Sequence, residues 1–227
     1  MKSLNGTSLR LGILGGTFDP VHLGHLRCAE EVGERLRLEK VYFVPSASPP
    51  HKTKEPVSSF EDRLFMVKLA VRDSPLLETL DIEGKREGPS YSIETLRELH
   101  SIFGPSLDMF FIIGIDAFIE IKTWKEYRKL FDYANFVIIH RPGYQATDIS
   151  NVASSLGMEL DRDNHRYRDT APPGNTLIFM SPTFMDISST EIRKTISRGR
   201  SVRFLVPESV REYIMTKRLY TNYEESR

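Results

Sequence analysis

Short apolar runs alternate with longer stretches of helical spacing along the whole chain. Leu9–Gly15 is mostly apolar, as a strand covered on both faces should be. Leu26–Leu38 then places Leu26, Ala29, Val32 and Leu36 on one helical stripe, with Glu30, Glu31, Glu34, Arg35 and Arg37 outward. Lys40–Pro45 reads as a second strand, followed by a proline-rich loop, Ser46–Pro56. Ser58 or Ser59 can cap a helix over Phe60–Arg72 that has Glu61 or Asp62 in its first turn and turns Leu64, Val67, Leu69 and Val71 inward.

The pattern continues with a strand over Leu76–Glu83 and a turn-rich loop, Gly84–Pro89. A helix opens within Ser90–Thr95, where Ser92 offers a cap, and ends near Gly104. Leu107–Gly114 is the strongest strand signal. A helix over Trp124–Phe131 and a strand over Asn135–His140 follow, the latter stopped by Arg141-Pro142-Gly143. Ile149–Leu156 is helix-compatible, and Asp161–Gly174, polar with two prolines, is expected to be an exposed loop. Leu177–Met180 resumes a strand, Ser188–Ser197 is a capped helix, and Pro207–Lys217 is a last helix with proline at its start.

Strand and helix alternate without an internal repeat or a break in composition. That predicts an α/β fold, a doubly wound and mainly parallel sheet in a single domain over residues 1–227, with a helical part from about residue 188. In such sheets ligands bind beyond the carboxyl ends of the strands. The unusual loops here follow strands: Gly15–His25, Ser46–Lys54, Gly114–Trp124, Arg141–Gly143 and Ser181–Ser189. One pocket drawing on all of them is expected.

Composition narrows the partners. Lys+Arg and Asp+Glu both number 31 in 227 residues, which is not the basic excess of a non-specific nucleic-acid binder. The one cysteine, Cys28, excludes an internal disulfide and fits a reducing compartment. The N-terminus has no apolar signal core, and the most apolar stretch, Met109–Ile115, is far short of the roughly 20 residues of a membrane helix. A cytoplasmic chain with small-molecule partners, no nucleic acid and no membrane is expected; a homo-oligomer is compatible with the sequence.

The candidate chemistry begins at Gly15-Gly16-Thr17-Phe18-Asp19-Pro20-Val21-His22-Leu23-Gly24-His25. A strand, a glycine turn and a helix N-terminus bring free N–H groups and the positive end of a helix dipole together, which suits an anion. His22 and His25 suggest donors aimed at phosphate. Alternatively they are a metal pair, which lacks local Cys or Glu partners, or one surface and one core histidine. Neither G-x-G-x-x-G nor G-x-x-x-x-G-K-[ST] occurs, so hydride transfer and P-loop chemistry lose support. Far along the chain, Ser188 or Ser189 opens a helix with Arg193 about one turn on, a second candidate phosphate cradle. Alone, S-S-T-E is a capping box; its pairing with the histidines favours the cradle.

G-G-T-F-D-P-x-H-x-G-H resembles the nucleotidyltransferase signature, whose diagnostic part is H-x-G-H. The bacterial nicotinate mononucleotide adenylyltransferase family is similar over nearly the whole chain, through Pro49–Lys52, Asp62-Arg63, Gly88–Ser92, Ile112–Asp116, Trp124, Arg141–Gly143 and Ile187–Arg193. The resemblance implies a Rossmann-like nucleotidyltransferase fold and the joining of ATP and nicotinate mononucleotide, with release of pyrophosphate. It implies His22 and His25 as catalytic donors. It assigns Gly15, Gly16, Thr17, Phe18, His22, His25, Gly114, Asp116, Ser188, Ser189, Thr190 and Arg193 to ATP. To the acceptor it assigns Lys52, Tyr91, Ser92, Thr95, Trp124 and Arg141, with Trp124 stacking on the pyridine ring. Asp116 would accept from ribose hydroxyls, although it could equally be a helix N-cap, and Asp19 would fix the turn. Mg²⁺ would enter with ATP, without dedicated protein ligands. The chain departs from the family pattern at Ser92, commonly threonine, at Glu94, commonly aspartate, and at Lys125, tyrosine in some members; a lysine there could favour the charge of nicotinate. Alternatives are an adenylyltransferase for nicotinamide mononucleotide or another phosphorylated acceptor such as phosphopantetheine, and a non-catalytic nucleotide-sensing module.

Overall fold

The computed structural model describes residues 8–48, 58–143, 146–161, 166–169 and 175–222. In chain order its elements are β1 (Leu9–Gly16), α1 (Leu23–Leu36), β2 (Lys40–Pro45), α2 (Phe60–Val71), β3 (Leu77–Thr79), α3 (Ser92–Phe103), β4 (Leu107–Gly114), α4 (Ile115–Ile119), β5 (Asn135–Ile139), α5 (Ala146–Ser155), β6 (Met158–Asp161), β7 (Arg166–Asp169), β8 (Thr176–Met180), α6 (Ser189–Ser197) and α7 (Glu208–Lys217). They fall into two compact units, each assembled from separate stretches. The first comprises Met1–Gly15, Val32–Lys40 and Tyr91–Pro182; the second comprises Gly16–Glu31, Val41–Ser90 and Thr183–Arg227.

In the first unit β1, β4, β5 and β8 run parallel. Leu14 lies beside Ile112, Gly114 beside Ile139, and Ile139 beside Met180. Their carboxyl ends therefore share one edge, from which the chain leaves toward Asp116, Arg141 and Ser181. The strands are apolar on both faces: Leu11, Ile13, Phe111, Ile112, Phe136, Val137 and Leu177 are all buried. The expected loop over Asp161–Gly174 is corrected in part. Met158–Asp161 and Arg166–Asp169 pair as an antiparallel hairpin, and Tyr167 sits opposite Leu177, so β7 extends the sheet beside β8. Alternating polar residues hid that strand; 162–165 and 170–174 lie outside the described residues.

The helical expectation over Trp124–Phe131 also needs correction. The chain makes two 3₁₀ turns, Ile121–Thr123 and Tyr127–Asp132, and Trp124 lies extended between them. α3 begins after Tyr91 with no side-chain cap, so Ser92 is the first helical residue and not the cap. α4 was not legible as a helix, being only five residues long.

In the second unit β2 and β3 form a parallel pair, Val41 beside Leu77 and Phe43 beside Thr79, and α7 packs on α2. Phe43, Val44, Met66, Val67, Val210 and Ile214 are buried there. β3 is shorter than the expected Leu76–Glu83, because the chain turns into a 3₁₀ segment at Glu83–Lys85 that an Asp81–Lys85 ion pair of 2.8 Å braces. α2 has the expected Ser59 cap, whose hydroxyl accepts from the Asp62 N–H at 3.0 Å. Its buried face differs from expectation: Arg63 is 2% exposed, whereas Leu64 is only half-buried.

Candidate active site

The glycine turn is fixed through its carbonyls. Gly16 O accepts from Ser46 N–H at 2.8 Å, and Thr17 O from Arg63 Nη1 at 2.7 Å. Asp19 O accepts from Arg193 Nη1 at 2.8 Å, and Pro20 O from the Ser189 hydroxyl at 2.9 Å. A trans peptide sets its N–H opposite its C=O. Tying down the carbonyls of Gly16 and Thr17 therefore turns the N–H groups of Thr17 and Phe18 the other way, as an anion cradle needs. Arg63 also donates from Nε to Ser58 O at 3.0 Å. Burial pulls its guanidinium below the usual arginine range and the Asp19 carboxylate pulls it back up, so the charge persists.

Phe18 explains one of the two glycines. It adopts φ +51 and folds back, 3% exposed, so that a Cβ on Gly16 would meet its ring at 3.0 Å. A Cβ on Gly15 would meet Phe111 at 3.8 Å, an ordinary contact. Gly16 is thus the position where the turn demands glycine. The Phe18 ring packs edge-on against His25, 5.1 Å between centroids.

α1 starts at Leu23, three residues earlier than expected, because His22 O already accepts from His25 N–H at 3.0 Å and Leu26 N–H at 3.3 Å. Both histidines therefore stand at the head of the helix. Their rings stack 3.6 Å apart, 28° from parallel. The His22 N–H donates to His25 Nδ1 at 3.2 Å, so the neutral His25 ring carries its proton on Nε2, as a donor. His22 is 7% exposed, and a Cβ on Gly24 would come within 3.1 Å of its Nδ1. The glycine of H-x-G-H is what lets the two rings stack.

α6 supplies the second half of this cluster. Ser188 is its N-cap and accepts from Glu191 N–H at 3.4 Å, while Ser189 reaches Pro20 O and Thr190 accepts from Arg193 Nη2 at 3.3 Å. Arg193 is 2% exposed. Its guanidinium grips the turn from beneath. Glu31, expected to point outward, is buried: it accepts from Thr183 N–H at 3.1 Å and from Arg27 Nε at 2.7 Å, ties α1 to the segment leading into α6, and is held below the ordinary glutamate range chiefly by Thr183.

The other expected residues that the structure describes lie in the first unit. Asp116 and Arg141 pair at 3.7 Å, both half-exposed, after β4 and β5. A Cβ on Gly114 would collide with Asp116 Oδ1, so glycine there leaves room for the carboxylate. Asp116 lies in the first turn of α4 and makes no cap hydrogen bond; Gly114 is the N-cap. Tyr91 and Ser92 are partly exposed at the start of α3, whereas Thr95 is 2% exposed. Trp124, half-buried, sets its ring edge-on to Phe111 at 6.4 Å. Lys52 lies outside the described residues.

Three ion pairs that the sequence pattern does not show lie between α3 and the stretch Lys125–Lys129 or within that stretch. Lys125 Nζ sits 2.6 Å from Glu94 Oε1 and 4.5 Å from the Tyr91 ring centre. Arg97 grips both oxygens of Glu126 at 3.2 and 2.8 Å, with Lys129 at 2.7 Å; Arg97 first and Lys129 next hold the Glu126 carboxyl down at about 2. Glu94 and Arg97 are three apart on α3 and share a face, while their partners are consecutive, Glu126 taking φ +50 to allow it. The two departures at Glu94 and Lys125 thus answer each other, and the lysine's charge is spent on the glutamate. Among the described residues no three His, Cys, Asp or Glu side chains converge on a point where a metal could sit.

A cytidylyltransferase-like family model matches residues 13–195. A probable nicotinate-nucleotide adenylyltransferase of Geotalea daltonii is 46% identical over 215 residues, covering 94% of this chain and 99% of that protein. One from a Thermoanaerobacter species is 41% identical, covering 96% and 97%. Among solved structures, Plasmodium falciparum nicotinic acid mononucleotide adenylyltransferase complexed with NaAD superposes with a TM-score of 0.71 at 18% identity, over 93% of this chain and 97% of that one, which bears out the Rossmann-like α/β fold. By the length and level of these matches the chain belongs to the cytidylyltransferase-like nucleotidyltransferases, among the nicotinate-nucleotide adenylyltransferases.

Proposed function

We propose that this chain moves the adenylyl group of ATP onto nicotinate mononucleotide, giving nicotinate adenine dinucleotide and pyrophosphate, in the cytoplasm and as one nucleotidyltransferase domain over 1–227. The acceptor's phosphate oxygen forms a bond to the α-phosphorus as the bond to pyrophosphate breaks. A phosphate monoester is already ionised near pH 7, so no protein base is required. Catalysis reduces to positioning and to donors placed where charge develops.

The observation that carries this reading is the stacked pair His22 and His25, whose hydrogen bond makes the neutral His25 a donor at Nε2. The Thr17 and Phe18 amides and the Ser188–Thr190 helix start are suited to the triphosphate, with Arg193 holding the turn they act from. Asp116 suits a ribose, and Tyr91, Ser92, Thr95, Trp124, Arg141 and Lys52 are assigned to the acceptor. Because Lys125 is paired with Glu94, recognition of the nicotinate carboxylate falls to N–H groups at the start of α3, in line with their partial positive charge. Mg²⁺, a hard ion that keeps its waters and favours phosphate oxygens, would arrive with ATP and neutralise the triphosphate.

His25→Ala and His22→Ala should each lower turnover with ATP and nicotinate mononucleotide by roughly 10²-fold or more, the scale for one preorganised donor. Pyrophosphate release measures it, with melting curves to show that the fold stands. Near-normal turnover in either variant would remove the donor assignment.

A further inference from the structure

Asp19 lies under the glycine turn, 2% exposed, and its carboxylate is held from several sides. The Tyr220 hydroxyl donates to Oδ1 at 2.7 Å, Ser58 N–H donates to Oδ2 at 3.3 Å, and the buried Arg63 guanidinium faces its charge. Tyr220 comes after the end of α7. Arg218 at φ +53 and Tyr220 at φ +64 are both left-handed, a conformation that non-glycine residues avoid. The chain accepts that twice within three residues, and the phenol ends beneath the turn. Burial first, and the Asp19 charge next, push that phenol far above the ordinary tyrosine range, so it stays a donor.

Packing alone would not need the hydroxyl. The same region offers a comparison: Tyr213 on α7 donates to Asp62 Oδ1 at 2.7 Å, an equal bond that touches no part of the turn. The Tyr220 bond differs in what its acceptor does. Asp19 is the residue whose carbonyl Arg193 grips, and it lies three positions before His22.

We infer that Tyr220 is a positioning residue for adenylyl transfer, holding the Asp19 carboxylate so that the Thr17 and Phe18 amides and the two histidines keep their aim. The inference rests on the function proposed above for its assay. Without the phenol, Asp19 loses one buried hydrogen bond and the turn gains freedom, which makes fewer of the bound complexes productive. A shift of a few tenths of an ångström at such a site is felt in turnover more than in binding.

The test compares Tyr220→Phe with Tyr213→Phe in the full chain, at a temperature well below either melting point. Both should melt a few degrees lower than the parent, the scale of one hydrogen bond. Tyr220→Phe should lose about tenfold in kcat, the factor that one such bond corresponds to, with KM for the acceptor unchanged. Tyr213→Phe should keep the parent kcat. Equal kcat in the two variants, or a Tyr220→Phe loss that vanishes on cooling, would overturn the positioning role. If the parent chain itself releases no pyrophosphate, it is the proposed function that fails.

Discussion

Single atoms decide the behaviour of the glycine turn. A Cβ added at Gly16 would lie 3.0 Å from the Phe18 ring, and one at Gly24 would lie 3.1 Å from His22 Nδ1, so the neighbour would have to give by a few tenths of an ångström. Neither neighbour is a flexible chain end: Phe18 is 3% exposed, and His22 is pinned between its backbone and the His25 ring. Gly24→Ala should therefore tilt His22 and unstack the pair. Gly24 itself is in a helix, where alanine is favoured by up to about 1 kcal/mol, so stability should hold or rise. The expected outcome is a turnover loss of about tenfold or more, the lower end of what a misplaced donor costs, without a fall in melting temperature. Thermal melting beside steady-state kinetics checks both halves. A variant that keeps parent turnover would show that the stack is not needed.

Elements are tied to one another by charges that sequence patterns present as surface. Glu31 on α1 reads as an outward residue beside Glu30 and Glu34, yet its carboxylate takes the Thr183 amide and Arg27. The Thr183 bond, with help from Arg27, lowers its pKa in the folded state against burial, which acts to raise it. A depressed carboxylate contributes stability above its unfolded pKa, about 4.3 for glutamate, and loses it as pH falls through the folded value. The parent should thus become less stable as pH drops from about 5 downward, and Glu31→Gln, which has no proton to take up there, should show a shallower acid limb. Melting temperatures across that range compare the two; identical limbs would mean that Glu31 does not fasten the segment before α6. The same logic hid Arg63, which helical spacing sets beside the apolar residues of α2 but which is buried together with Met66, Val67 and Val71. Arg97 with Glu126 and Glu94 with Lys125 were equally invisible, since nothing in either segment says that the other is opposite.

At the scale of the molecule, what could be read was whatever is local. β2 and β4 lie at the expected residues, because Val41–Pro45 and Met109–Gly114 are continuous runs without a charged residue and with clear ends. Ser59 and Ser188 cap as their spacing implies, and Gly104 closes α3. The hairpin of β6 and β7 escaped because β7 is a polar strand whose place depends on β8. H-x-G-H and the Ser188–Arg193 start were legible as motifs, and Asp62-Arg63 as a family-like pair, whereas nothing in the pattern marked the contacts that Arg63, Glu31 and Tyr220 make with Thr17, Thr183 and Asp19. The glycine turn and the start of α6 were marked by pattern; the contacts that fasten them are tertiary.

The reading of the whole molecule is that it joins ATP to the acid form of a pyridine mononucleotide. The direct measurement offers the acid and amide mononucleotides together, at equal concentration with ATP and Mg²⁺, and follows both dinucleotides and pyrophosphate. Pyrophosphate should appear in step with dinucleotide, with nicotinate adenine dinucleotide as the main product. Excess of the amide product would contradict the substrate assigned here, and absence of pyrophosphate would contradict adenylyl transfer itself.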